Sequence, residues 1–93
     1  MAPEVLDAPK STVDNSLDSL YQLVLYNDDV NTFEHVVACL VTVLRQPKQL
    51  AEHLAKQAHE NGREVIEVGS RDDMIVYKQK LQTLRLTVEV EKI

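Results

Sequence analysis

The side chains best able to do chemistry are bunched in one short stretch, Asn27-Asp28-Asp29, between a strand-like run ending at Tyr26 and a helix-like run beginning near Thr32. One turn residue would reverse the chain there, so an amide followed by two carboxylates exceeds local need. Asn and Asp do favour turns, and an acid near a helix N-terminus gains roughly 0.3–1 kcal/mol from the dipole. Yet neighbours in an extended segment point in different directions, so one acid can serve the turn while the other stays available. Asn31, with Glu34 three residues later, has the form of a capping box, so the helix cap is expected from Asn31 and not from the acids.

His59 is the second candidate. On a helical wheel it lies at the edge of an apolar face, one turn beyond Ala55 and beside Ala58. Its plainer reading is a half-exposed residue at the negative pole of its helix. His35 and His53 read as surface residues without a role. Three chemistries compete for an amide, two carboxylates and an imidazole. Zinc prefers three or four N or S donors, and Cys39 is expected to face away from any histidine at ligand spacing. Hydrolysis needs a nucleophile or a spaced carboxylate pair in a shaped pocket, which adjacent acids on a turn rarely provide. No catalytic residue, metal ligand or cofactor is therefore expected. The third option is a receptor for an ammonium group. Its three N–H donors match an amide oxygen, a carboxylate oxygen and an imidazole nitrogen. Phe33 and Val36, one helical turn away, would receive whatever the ammonium is attached to.

These groups need elements to hold them. Tyr21, Leu23 and Leu25 alternate with Gln22, Val24 and Tyr26, the period of a strand. Phe33, Val36, Val37, Leu40, Val41 and Leu44 form a helical stripe in which packing must override the low helix propensity of valine. Pro47 suits the first turn of a second helix, whose narrow apolar face is Leu50, Ala51, Leu54, Ala55 and Ala58, and Gly62 takes the left-handed cap position. Residues 63–70, REVIEVGS, read as a strand. Ser70 caps a third helix carrying Met74, Tyr77, Leu81 and Leu84 at helical spacing, and LTVEVEKI from Leu86 is a strand with one wet face. The order β-α-α-β-α-β predicts an α+β domain with a three-stranded antiparallel sheet, helices on one face and solvent on the other.

Composition narrows the partners. Ninety-three residues make one small domain, and with aromatics at only 4% its core must be built from Leu, Val, Ile and Ala. A net charge of −5 argues against nucleic acid, which needs clustered Lys and Arg. The single cysteine, Cys39, cannot form an internal disulfide and reads as a packed thiol in a reducing compartment. No apolar run approaches the ~20 residues of a membrane span. Residues 1–19, with two of the three prolines and no apolar period, read as a flexible N-terminal extension, and residues 20–93 as the core. That extension lacks secretory and transit-peptide character, which makes the cytosol the default.

Taken together, YQLVLYNDDVNTFEHVV and HLAKQAHENGREVIEVGSRDDM resemble the ClpS family, adaptors that deliver N-degron substrates to the Clp unfoldase–protease. The likeness spans residues 20–93, about four fifths of the chain. It rests on the Asn-Asp-Asp motif after a first strand, the Glu-His-Val-Val helix start, and a His closely followed by Gly before a second strand. The resemblance implies a non-enzymatic, monomeric adaptor in a bacterial cytosol or plastid stroma. Its partners would be the N-terminal domain of a ClpA- or ClpC-type AAA+ unfoldase and proteins beginning with Leu, Phe, Tyr or Trp. Asn27, Asp29 and His59 would bind the substrate's free α-amino group, with Asp28 shaping the same loop. Leu25, Asn31, Phe33, Val36, Ala55, Ala58 and Leu86 would line the side-chain pocket. Asn31 and Phe33 stand where the family often has Thr and Met, which narrows the entrance. Ala55 stands where a longer Met is usual, which deepens the floor, so the preferred first residue stays open. The extension would engage the unfoldase and promote transfer. The alternative is a regulatory or scaffolding domain that docks on the unfoldase with altered or lost specificity.

Overall fold

The computed structural model describes residues 20–93, so the reading of residues 1–19 as an extension lies outside it. The elements follow the expected order: β1 (Leu20–Tyr26), α1 (Phe33–Leu44), α2 (Lys48–Asn61), β2 (Arg63–Ser70), α3 (Arg71–Thr83) and β3 (Val88–Lys92). β1 is the central strand of a three-stranded sheet ordered β2-β1-β3, antiparallel to both neighbours. Its alternation places Leu23 and Leu25 against the helices, where they join Leu40, Leu54, Ala58, Met74, Leu81 and Val88 in one core. Each fully buried Leu or Met in such a core contributes roughly 1.5–3 kcal/mol.

A bulge bends the sheet. The register passes from Leu23↔Glu67 to Val24↔Val65, leaving Ile66 as the extra residue, and Ile66 turns its side chain into the core. The link between α1 and α2 fastens onto this bulge, since Gln46 Nε2 donates to the Ile66 carbonyl at 2.7 Å.

Several local expectations are corrected. The cap of α1 is Thr32, whose hydroxyl accepts from the His35 N–H at 3.1 Å, and not Asn31. The side chain of Asn31 is drawn instead to Asp28 and to the carbonyl of Arg85. Leu50 is exposed, so the apolar face of α2 is Ala51, Leu54, Ala55 and Ala58. Leu86 precedes β3, in the turn that leads into it. His35 and Cys39 are not apart: His35 Nε2 lies 3.5 Å from Cys39 Sγ and 2.8 Å from the Leu84 carbonyl, so this histidine joins α1 to the end of α3. Cys39 itself is buried, which pushes its thiol pKa up.

The face of the sheet away from the helices is also drier than its charged residues suggest, because Val24 is fully buried there. Beside it, Glu91 accepts from Arg63 at 2.7 Å, from Gln22 at 3.2 Å and from the Tyr26 hydroxyl at 3.0 Å, and the Arg63 guanidinium lies 5.5 Å from the Tyr26 ring centroid. These bonds, the one from Arg63 foremost, hold the Glu91 carboxyl below its usual range, and the bond to Glu91 raises the Tyr26 phenol. Long polar side chains on this face thus bond to one another beside a buried valine.

Candidate functional site

The Asn-Asp-Asp segment leaves β1 and is pinned from two sides. Tyr26 N–H donates to the Thr87 carbonyl and Asn27 N–H to the Gly62 carbonyl, each at 2.9 Å. Gly62 has φ +89, a left-handed conformation suited to glycine, and its own N–H closes α2 by donating to Ala58. One residue therefore ends α2 and receives Asn27, which is how the last turn of α2, carrying His59, comes to lie beside the segment.

The two acids divide their work. Asp28 Oδ1 accepts from the N–H groups of Val30 and Asn31, both at 3.0 Å. Its other oxygen accepts from Asn31 Nδ2 at 3.0 Å and from the Thr87 hydroxyl at 3.2 Å. Burial alone would raise the Asp28 carboxyl, but these donors outweigh it and hold the group below its ordinary value. Asp29 is exposed, with no side-chain hydrogen bond or ion pair among the described residues. Asp28 is the carboxylate of the turn, and Asp29 is the available one.

Between the segment, the start of α1 and the second half of α2 lies a cavity of about 370 Å³. Asn27, Asp28, Asp29 and His59 meet there with Leu25, Asn31, Phe33, Val36, Ala55, Ala58 and Leu86, so every residue singled out in the sequence borders one hollow. Leu25, Ala55, Ala58 and Leu86 are buried, and Phe33, 44% exposed, stands at the rim. Two lining residues escaped the sequence reading, Tyr26 and Lys56. Tyr26 directly precedes the acidic segment, and Lys56 follows Ala55 on α2, positions that sequence adjacency alone could have flagged. Lys56 brings a cation to a lining that also carries the two acids.

Acids and an amide thus border one hollow with buried apolar side chains, a lining with the form of a small binding module, and among the described residues no three His, Cys, Asp or Glu side chains are grouped to hold a metal ion. No helix of the described residues is long and apolar enough to cross a membrane.

Comparison with known proteins gives the module its family. The model of the ATP-dependent Clp protease adaptor protein ClpS matches residues 16–89. A ClpS adapter from Nostoc sp. is 36% identical over 69 residues, 73% of this chain and 71% of that protein. Another, from Thermosynechococcus vestitus, is 30% identical over 87 residues, 92% and 93% of the two chains. Agrobacterium tumefaciens ClpS2, solved bound to L-phenylalaninamide, superposes with a TM-score of 0.76 at 26% identity, covering 82% of this chain and 99% of that one. The chain belongs to the ClpS family of Clp protease adaptors, and as such is an adaptor for proteolysis and not itself an enzyme.

Proposed function

We propose that the cavity binds the first residue of N-degron proteins, taking up its free α-amino group and a bulky Leu, Phe, Tyr or Trp side chain, for delivery to a Clp AAA+ unfoldase of the ClpA or ClpC type. The observation that carries the reading is that the exposed Asp29, without a side-chain partner among the described residues, lines the same hollow as Asn27, His59 and a buried apolar floor. An –NH3⁺ group donates to an amide oxygen, a carboxylate and an imidazole nitrogen, while the attached side chain displaces water from Leu25, Ala55, Ala58 and Leu86. L-phenylalaninamide, bound by the Agrobacterium relative, has this form: a free amine, an apolar ring, and an amide where a peptide would continue.

The magnitudes suit an adaptor. Three charge-assisted hydrogen bonds at about 1.5–3 kcal/mol each and an engulfed side chain at about 1.5–3 kcal/mol oppose an association cost of several kcal/mol. The net corresponds to a Kd between ~0.1 and ~100 µM, tight enough to capture cargo and weak enough to release it.

Residues 1–19 belong to the delivery step in this reading, and the core to capture. Degradation of a Phe-initial reporter by the partner Clp protease tests both parts. The full chain should accelerate it, and a chain lacking residues 1–17 should bind the same peptide yet fail to deliver. Full-rate degradation without those residues contradicts the delivery role; no acceleration by the intact chain contradicts the adaptor reading of this cavity.

A further inference from the structure

Leu86 lies in the turn between α3 and β3, and that turn is held by partners outside itself. Its N–H groups are satisfied from α3: Arg85 N donates to Gln82 O at 2.9 Å, and Leu86 N to Leu81 O at 3.1 Å. Its carbonyls point the other way, to the start of α1. Asn31 Nδ2 lies 2.8 Å from the Arg85 carbonyl, and His35 Nε2 lies 2.8 Å from that of Leu84. A carbonyl only accepts, so His35 carries its proton on Nε2, and Cys39 Sγ at 3.5 Å sits beside the same N–H as a soft acceptor. The turn needs these fastenings because Arg85 has φ +74, a left-handed conformation that residues other than glycine rarely adopt. Immediately after this residue, Leu86, 4% exposed, enters the cavity wall.

We propose that His35, which does not line the cavity, is a positioning residue for it: its Nε2–H bond to the Leu84 carbonyl holds the strained turn so that Leu86 stands at a fixed depth in the side-chain pocket. The consequence for ligand choice rests on the reading of the cavity as an N-degron site. Asn31 and, through Thr87, Asp28 fasten the same segment from within the cavity lining, so His35 is a fastening that can be cut without touching the ligand.

The test compares His35→Phe, which keeps a ring and loses the donor, with His35→Gln, whose Nε2–H reaches a similar place. Hydrogen–deuterium exchange on the free proteins reads the turn. Arg85 and Leu86 amides should exchange faster in His35→Phe and near the wild-type rate in His35→Gln, with β2 amides unchanged in both. Anisotropy with Phe-, Leu- and Trp-initial peptides reads the pocket. His35→Phe should lose about three- to tenfold in affinity, unequally among the peptides so that their ranking compresses, while His35→Gln stays within about twofold. A uniform loss across peptides, equal behaviour of the two variants, or unaltered Arg85 and Leu86 exchange overturns the proposal. Should the wild type bind none of the peptides, the N-degron reading fails, and the exchange rates still decide whether His35 holds the turn.

Discussion

The Thr87 hydroxyl lies 3.2 Å from Oδ2 of Asp28, joining the approach to the last strand with the loop that follows the first. The bond helps make Asp28 a structural carboxylate, fully engaged within the fold, while its neighbour Asp29 faces solvent and the cavity.

Substitutions should separate the two acids. Asp29→Ala is expected to weaken binding of a Phe-initial peptide by more than about tenfold, the loss of one charge-assisted hydrogen bond, while urea denaturation changes by less than about 0.5 kcal/mol. Asp28→Asn should do the reverse first. Its amide can accept from Val30 and Asn31 but not from Asn31 Nδ2 and Thr87 together, so stability should fall by about 1–2 kcal/mol. Unchanged affinity in Asp29→Ala removes that residue from the site.

The contribution of Asp28 also has a defined pH window. Its folded pKa is depressed, so the stabilisation is present above the unfolded value of about 3.9 and disappears as pH falls through the lower folded value. The stability gap between wild type and Asp28→Asn should therefore be constant near neutrality and shrink in strong acid. Denaturation midpoints at neutral pH and at successive acid steps measure it, and a gap that widens on acidification contradicts the assignment.

Ala55 is buried in the cavity wall without filling it. Ala55→Met should occupy that space and move preference from Trp and Phe toward Leu, by about tenfold in the ratio of affinities, since roughly 1–2 kcal/mol separates a fitting side chain from a crowded one. An unaltered rank order among the three peptides means that residue 55 does not face the ligand.

Gly62 couples the helix bearing His59 to the loop bearing Asn27. At φ +89 an added Cβ meets no atom within 4 Å, so the obstacle in Gly62→Ala is backbone conformation alone. The variant should lose about 1 kcal/mol or more of stability, and peptide affinity should fall as well because His59 and Asn27 no longer share one joint. A destabilised variant that binds at wild-type strength would show that the Asn27–Gly62 bond does not set the site.

Much of this architecture was legible in the chain. The strand period at Tyr21–Leu25, the Ser70 cap and the Gly62 stop are local signals, and the structure follows them, with Ser70 Oγ accepting from Asp73 N–H. What escaped were features fixed by distant partners. Asn31 fits a capping box in sequence, but a carboxylate and a carbonyl 54 residues away compete for its amide, and Thr32 caps in its place. His35 reads as a surface residue until the end of α3 is seen to lie against it. Val24 is buried on a sheet face whose neighbours are polar and charged, which no single-strand alternation reveals. For the cavity, residue types suggested ammonium chemistry, but the placement of His59 beside the acidic loop rests on tertiary contacts such as the Asn27–Gly62 bond, which the sequence does not show.

The central claim is met most directly by fluorescence anisotropy of one Phe-initial peptide and its N-acetylated twin, with an Ala-initial peptide alongside. The free-amine Phe peptide should bind with a Kd between ~0.1 and ~100 µM, and acetylation or Ala at the first position should each weaken it by more than about tenfold. Equal binding of the acetylated twin, or no binding of any of the three, would contradict the account.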